Sequence, residues 1–395
     1  MHILLIPSWY PDHPGDVKGV FFRDQALALK EFGHQIGVIA PNLRSLRSLL
    51  GRVEIDKSND FELDEGIATY REKVISLLPR VPYGSFWLLK RTAKNMFKNY
   101  IKLHGRPDII HAHSSIFGGI IATDLASEHG IPIVLTEHSS GFARGTFKNW
   151  QLKLAERASV KADLVISVSP SLGQLLGNLF PLTKERWQWI PNVVADRFNS
   201  PKRISKNDDA IVFLNLAFMN ENKGQRDLLR AFKRVATKSA KAELWLAGDG
   251  PTRTDLEKEA INLGLNNRVR FLGVITPELV PELFKKVDVM VVSSHYETFG
   301  VVIAEALMAG LPAIATRCGG PESIIQEYDG LLVPVRDPDA LGDAMYELLE
   351  NLEFFDSEAI AERAFARFSG KAIASRLTNE YEKLITRNNQ KTDCA

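Results

Sequence analysis

The chain has 395 residues, 45% of them hydrophobic and 25% charged, which are ordinary globular values over a length too great for one domain. A net charge of +1 and the lack of any apolar run of eighteen residues exclude a membrane-spanning helix and a generally basic or acidic binding protein. The two cysteines, Cys318 and Cys394, supply neither a metal spacing nor a disulfide framework, and internal repeats and low-complexity tracts are absent.

The N-terminus, Met1-His2-Ile3-Leu4-Leu5-Ile6-Pro7, reads as a short strand rather than a cleavable signal, so a cytoplasmic protein is expected. Further strands are expected at Gln35 to Ala40, Ile67 to Arg71, Asp108 to Ala112, Ile133 to Thr136, Leu164 to Ser167 and Trp187 to Ile190. Helices fit between them, notably Phe21 to Phe32, Gly118 to Glu128 and Trp150 to Val160. Residues 1–195 carry 23 Lys+Arg against 18 Asp+Glu, and the remainder 26 against 30, so the first half holds the positive surface. Much of the excess lies between Arg80 and Arg106, where Lys90, Lys94, Lys98 and Lys102 recur every four residues beside an apolar stripe of Phe86, Leu89, Ala93, Phe97, Tyr100 and Ile101. Two readings stay open for that helix: a solvated basic face, or a patch resting on an anionic membrane surface or lipid-phosphate acceptor. No nucleic-acid motif accompanies the charge, and a nucleic-acid partner is not expected.

Pro191-Asn192 and the polar run Ser200 to Asp209 interrupt the alternation and mark the domain boundary, giving domains 1–195 and 196–370. The second domain repeats the pattern: strand Ile211 to Ala217, helix Gln225 to Lys238, strand Glu243 to Ala247, helix Thr252 to Leu263, strand Val269 to Leu272, and a helix near Glu278 to Lys286. Residues 371–395 read as a helix crossing back to the first domain, with a polar tail after it.

The most informative stretch begins at residue 287. Strand Val287 to Val292 is nearly continuous apolar, as a strand buried on both faces should be. A loop to Thr298 leads into the helix Val301 to Met308, closed by Gly310 and Pro312. Glu297 thus sits at the carboxyl end of a strand, where open α/β sheets bind ligands, and Glu305 lies more than a turn inside the helix. The amides of Phe299, Gly300 and Val301 would face an anion such as a phosphate.

This layout resembles the Glu-x7-Glu signature of retaining family 4 (group 1) glycosyltransferases, and it implies the GT-B fold: α/β, with two Rossmann-like doubly wound domains facing a central cleft. The resemblance extends over nearly the whole chain. Pro191-Asn192-Val193-Val194 looks like the family's interdomain Pro-Asn-Gly-Val segment, with Val193 where Gly is usual. Ala247-Gly248-Asp249-Gly250-Pro251 and Phe271-Leu272-Gly273 look like its two strand-end turns, which gives Gly248, Gly273 and Val274 to the donor nucleotide. Lys223 resembles the residue that neutralises the donor pyrophosphate. The Arg usual five positions earlier is Phe218 here. Arg23 or Arg144 could replace it, the helix amides could carry more of the phosphate, or the activity could be weakened.

In the first half, Pro7-Ser8-Trp9-Tyr10-Pro11 to Gly19-Val20-Phe21 resembles the family's glycine loop; Gly19 is preferred to Gly15 because it adjoins a helix start. Thr136-Glu137-His138 resembles a Thr-x-His whose His lies beside the reacting sugar carbon. His113 is read as acceptor-side support and His111 as a core residue. Asp337-Pro338-Asp339 reads as a helix N-terminal turn, not a metal motif, and no metal or other cofactor is expected.

The resemblance therefore implies a retaining, metal-independent hexosyltransferase using a nucleotide-diphosphate sugar, UDP being the family's commonest, and a glycan or lipid-linked acceptor in surface polysaccharide or glycolipid synthesis. Glu297 would hold donor hydroxyls, Glu305 the ribose, Lys223 the pyrophosphate, and His138 the sugar. Location would be cytoplasmic or peripheral at the inner membrane face. A nucleotide-sugar epimerase or hydrolase on the same fold, and an inactive donor-binding subunit of a glycan assembly complex, are the alternatives.

Overall fold

The computed structural model describes residues 1–12, 16, 19–45, 60–76, 83–200 and 210–393; Gly15 and nearly all of the expected boundary run, from residue 201 to 209, lie outside them. The chain divides into two compact units, Met1–Val193 with Ile373–Ala395, and Val194–Ala372. The division falls within two residues of each expected boundary.

Among the described residues, unit 1 forms an eight-stranded sheet from β1 (His2–Pro7), β2 (Gln35–Ser45), β3 (Asp60–Asp64), β4 (Ile67–Ser76), β5 (Ile109–His113), β6 (Ile133–Glu137), β7 (Leu164–Ser167) and β8 (Trp187–Trp189). Their order is β3-β4-β2-β1-β5-β6-β7-β8, and every pairing is parallel except β3 with β4. Helices α1 (Val20–Glu31), α2 (Gly84–His104), α3 (Ile120–His129), α4 (Asn149–Lys161) and α5 (Pro170–Leu179) connect the strands. The central strands β1, β5 and β6 are buried at every residue, which is why they read as apolar runs. The chain winds outward from β1 on one side and restarts at β5 on the other, pairing Pro7 with His113 at the carboxyl ends. A ligand crevice belongs at such a switch point.

Unit 2 holds β9 (Ile211–Leu216), β10 (Ala242–Ala247), β11 (Val269–Gly273), β12 (Val289–Val292), β13 (Ala313–Thr316) and β14 (Gly330–Val333), all parallel, in the order β11-β10-β9-β12-β13-β14. Its helices are α6 (Gln225–Lys238), α7 (Arg253–Asn262), α8 (Val280–Phe284), α9 (Val301–Met308), α10 (Pro338–Glu350) and α11 (Ser357–Phe368). Here the switch point lies between β9 and β12. The Asp337 side chain caps α10 by accepting from the Ala340 amide at 2.9 Å, and Pro338 takes the first helical position.

The last helix, α12 (Gly370–Asp393), buries Ile373, Ala374, Leu377, Tyr381 and Leu384 among Phe22, Ile36, Ile166 and Ile190 of unit 1. It continues to Asp393 in place of the expected polar tail, because the apolar stripe that anchors it ends at Leu384 while its polar residues still favour helix.

Candidate functional site

In unit 2 the loops leaving β9 and β12 are stitched together. Asn222 Nδ2 donates to Tyr296 O at 3.0 Å, the His295 amide to Asn222 O at 2.7 Å, and Ser293 Oγ to Lys223 O at 2.9 Å. The loops approach so closely at Gly224, in left-handed conformation at φ 63°, that a Cβ there would lie 2.0 Å from Ser293 O. This packing delivers Lys223 to Glu297: Nζ stands 2.5 Å from Oε1, which also accepts from Ser294 Oγ at 2.7 Å. The Glu297 backbone is fixed as well, its amide donating to Cys318 O at 3.1 Å and its carbonyl accepting from the Gly320 amide at 2.9 Å. Burial pushes the neighbouring Cys318 thiol and Tyr296 hydroxyl each up to about 12, so both stay neutral beside the pair.

Gly300, at φ 93°, precedes the first helical residue of α9, and the first-turn amides have no acceptor within the helix. Phe299 contributes only backbone, since its side chain is buried against Phe368. Glu305 sits half-buried in the second turn of α9. Gly248 donates its amide to Gly273 O at 2.7 Å, joining the two strand-end turns, and Val274 beyond them is 68% exposed. Phe218 is 59% exposed at the end of β9. Lys223, Glu297, Phe299, Gly300, Val301, Glu305, Gly248, Gly273 and Val274 therefore all belong to the carboxyl edge of one sheet and the elements leaving it.

In unit 1, Gly19 is the left-handed residue before α1, at φ 76°, where a Cβ would lie 3.1 Å from the Trp9 side chain and 3.2 Å from that of Phe22. His113 Nδ1 and His138 Nε2 are 3.0 Å apart, and both rings are buried. Burial lowers the His113 imidazole to about 3 and holds His138 well below its ordinary value, so both are neutral. Among the described residues, His138 Nδ1 has no hydrogen-bond partner of good geometry. The core assignment of His111 needs a polar amendment: it is fully buried, but its ring nitrogens meet Tyr381 OH at 2.6 Å and Thr136 Oγ1 at 2.7 Å.

A cavity of about 540 Å³ opens beside this cluster, lined by Trp9, Asp12, Asn42, Glu137 and Phe142 among others. Trp9 and Glu137 stand inside the sequence motifs, but the motifs give neither a role. Glu137 is fully buried, and its carboxylate accepts the Ser115 amide at 2.7 Å and the His138 and Ser139 amides at 2.8 Å, with Ser115 Oγ as a further donor. Four donors on one carboxylate rigidify the cavity wall. A Glu in the middle of Thr-x-His at a strand end is the signal that could have found it.

Of the two arginines offered in place of the missing one, Arg23 is engaged elsewhere. Arg23 is not a spare charge: Nε and Nη2 each lie 2.7 Å from the Asp64 carboxylate. Arg144 is exposed in the loop after β6. The basic stripe of α2 is also partly committed, with Lys90 2.6 Å from Asp124 and Lys94 2.6 Å from Glu128, both on α3. Lys98 and Lys102 are exposed, as are Tyr83 and Trp87, the latter at 62% with the Arg91 guanidinium over its ring.

Residues 196–365 match the profile described as Glycosyl transferases group 1, and residues 19–197 the profile described as Glycosyltransferase Family 4. The chain belongs to this glycosyltransferase family. It is 26% identical to an uncharacterized glycosyltransferase, MJ1607, of Methanocaldococcus jannaschii, over 97% of this chain and 98% of that one. It is 25% identical to TuaC of Bacillus subtilis, a putative teichuronic acid biosynthesis glycosyltransferase, over 97% and 98%. Among solved structures it resembles Anabaena HepE in complex with UDP, with a TM-score of 0.71, 18% identity, and 97% of this chain and all of the other covered. Its fold is GT-B, and the glycosyltransferase motifs fall on the two sheet edges described above.

Proposed function

We propose that this glycosyltransferase is retaining and metal-independent, transferring a hexose from a nucleotide-diphosphate sugar, with UDP as the nucleotide, to a glycan or lipid-linked acceptor in surface polysaccharide or glycolipid synthesis. The observation that carries the reading is the Lys223–Glu297 pair at 2.5 Å beside the start of α9. An ammonium, a carboxylate and a helix amino end offer, within one sheet edge, the groups that a diphosphate and sugar hydroxyls need. Relatives support the class: HepE was solved with UDP, and TuaC is named for teichuronic acid biosynthesis.

In the reaction, the bond between the anomeric carbon and the diphosphate oxygen breaks, and its electron pair leaves with the nucleoside diphosphate. A bond forms from the acceptor hydroxyl to the same carbon, and the hydroxyl proton passes to the departing diphosphate. Lys223 and the α9 amides stabilise the negative charge on the leaving group, and no metal is needed for that task. Glu297 accepts from donor hydroxyls, and Glu305 accepts from the ribose diol. Gly248, Gly273 and Val274 meet the nucleoside through backbone, and Gly19 approaches the donor phosphate. His138 contributes a hydrogen bond near the anomeric carbon, with His113 behind it. The unit 1 cavity, with Trp9 for stacking and Asp12 and Asn42 for hydroxyls, takes the acceptor. The enzyme works at the inner membrane face, with α2 against anionic lipid.

The test is transfer from a panel of UDP-sugars, with and without EDTA, alongside calorimetric titration of UDP. EDTA-resistant transfer is expected. Loss of activity restored by Mn²⁺ overturns the metal-free reading. Binding without turnover or hydrolysis makes the chain a donor-binding subunit, an alternative that the exposed Phe218 favours. Sugar release or isomerisation without transfer makes it a hydrolase or epimerase.

A further inference from the structure

The buried imidazoles of unit 1 form one hydrogen-bonded series. Tyr381 OH lies 2.6 Å from His111 Nδ1, and Gln25 Nε2 lies 3.4 Å from both His111 Nδ1 and His113 Nε2. His113 Nδ1 then lies 3.0 Å from His138 Nε2. The His111 and His113 rings stack with centroids 4.4 Å apart, and Gln25 bridges them. Gln25, His111, His113 and His138 are all buried, so each polar atom must find its partner inside the protein.

A neutral imidazole has one donor and one acceptor nitrogen, and this rule propagates along the series. The Gln25 amide has two N–H groups and can donate to both rings. His113 Nε2 is then an acceptor, so its proton resides on Nδ1 and is donated to His138 Nε2. That leaves the His138 proton on Nδ1. His111 obeys the same rule: its Nδ1 lone pair accepts from Tyr381 OH at 2.6 Å, with the Gln25 amide sharing it at 3.4 Å, and Nε2–H donates to Thr136 Oγ1 at 2.7 Å. The series closes at every atom but one. Among the described residues, His138 Nδ1 is buried without a hydrogen-bond partner of good geometry, and the looser contact with the Asn192 side chain favours a proton on the ring.

We propose that Gln25 and His113 are positioning residues, a tautomer relay that holds His138 with its proton on Nδ1 and so makes it a hydrogen-bond donor to an oxygen of the bound substrate, a sugar hydroxyl or phosphate oxygen. The relay stands on the geometry alone; only the identity of that oxygen rests on the glycosyltransferase reading. His138 thereby supplies a donor, not a base, and the α1 residue Gln25 decides which.

Long-range ¹⁵N–¹H correlation spectra of protein labelled with ¹⁵N-histidine read the tautomers directly, with the His138 signals assigned by their loss in His138→Gln. In the wild type, His138 and His113 should each show a protonated Nδ1 and an unprotonated Nε2. Gln25→Glu replaces a donor by a carboxylate that only accepts, so the His113 and His138 protons should both move to Nε2. Turnover of that variant should fall by about tenfold, the effect of one misdirected hydrogen bond, and UDP affinity should fall with it only where the acceptor is a phosphate oxygen. Gln25→Leu, which removes the donor without reversing it, should show mixed tautomers. A wild-type His138 protonated on Nε2 overturns the proposal before any variant is made, as does a folded Gln25→Glu protein that retains the Nδ1 proton. The expected tautomers in a protein that transfers no sugar would sustain the relay and overturn the reading of the enzyme.

Discussion

Lys223 and Glu297, separated by 74 positions, meet at 2.5 Å, and neither side chain is more than a quarter exposed. Each therefore holds the other in place. The double cycle Lys223→Ala, Glu297→Ala and both together should show single losses of stability of about 1–3 kcal/mol, with the double variant less destabilised than their sum by at least about 0.5 kcal/mol. Urea unfolding measures it, and additive losses would mean that the contact is incidental.

Removal of Glu305 should act on the ligand instead. Glu305→Ala takes one half-buried carboxylate from α9, and the loss of a charge-assisted bond to a diol should weaken UDP binding by about ten- to a hundredfold. Lys223→Ala should lower transfer as well. Calorimetric titration of UDP decides the first point, and wild-type affinity in Glu305→Ala would remove it from the ribose site.

Gly224→Ala should cost more than its one carbon suggests. The residue has φ 63°, and the added Cβ would meet Ser293 O at 2.0 Å, so the loops carrying Lys223 and Glu297 must separate. UDP affinity should fall about tenfold or more, the effect of losing one charge-assisted bond that the pair is proposed to make to the ligand. The far-UV circular dichroism of the variant should stay native; an unchanged UDP affinity would show that the loop contact does not shape the site.

Local pattern made part of the fold legible in the sequence. Strand Leu164 to Ser167 and helices Gln225 to Lys238 and Val301 to Met308 occur within the bounds that apolar periodicity and flanking glycines set. β3, Asp60–Asp64, is not among the expected strands, because an antiparallel edge strand with acids on it has no buried run to reveal it. α5 falls between two expected strands but is not among the helices given bounds, although Ser169 caps it by accepting the Leu172 amide at 3.2 Å. Gly173 and Gly177 mask its helical pattern, and both sit in tight packing: a Cβ on Gly173 would lie 2.7 Å from Ser167 Oγ, and one on Gly177 would lie 3.0 Å from Lys184 O. The Glu297–Glu305 spacing spans one loop and its helix and could be read. The Lys223–Glu297 contact joins the ends of β9 and β12, distant in sequence, and only the sheet order brings them together; His113 and His138 end the consecutive strands β5 and β6, and their contact depends on side-chain packing that no local pattern shows.

Asp124 gives a pH-dependent prediction. Burial alone would raise its pKa, but hydrogen bonds from Lys90 and Lys161 outweigh it and leave the group below its ordinary value, with Arg157 as a third cation at 2.9 Å. A carboxylate depressed by folding stabilises the native state above its unfolded pKa of about 3.9, and that stability is lost as pH falls through the lower folded value. Asp124→Asn should therefore cost about 1–3 kcal/mol at pH 7. Its deficit relative to wild type should shrink as pH falls below about 4, the ordinary carboxylate range. Urea unfolding at several pH values reads the difference, and a deficit constant from pH 7 to pH 3 would refute it.

The proposed lipid-facing role of α2 falls to fewer lysines than its stripe contains. Lys90 and Lys94 are engaged by Asp124 and Glu128, so the attraction falls to Arg91, Lys98 and Lys102, with Trp87, 62% exposed, as the residue suited to the headgroup layer. Each of these cations should contribute about 1 kcal/mol near an anionic surface, fading with salt. Lys98→Gln with Lys102→Gln should thus weaken cosedimentation with phosphatidylserine vesicles at low salt by roughly tenfold or more, and Trp87→Ala should weaken it further. Melting temperatures should hardly change, because these side chains are exposed. Lys90→Gln should barely reduce vesicle binding, since its charge is already engaged by Asp124. If Lys90→Gln and Lys98→Gln weaken binding equally, or the wild type ignores anionic vesicles, α2 is only the solvated face of its domain.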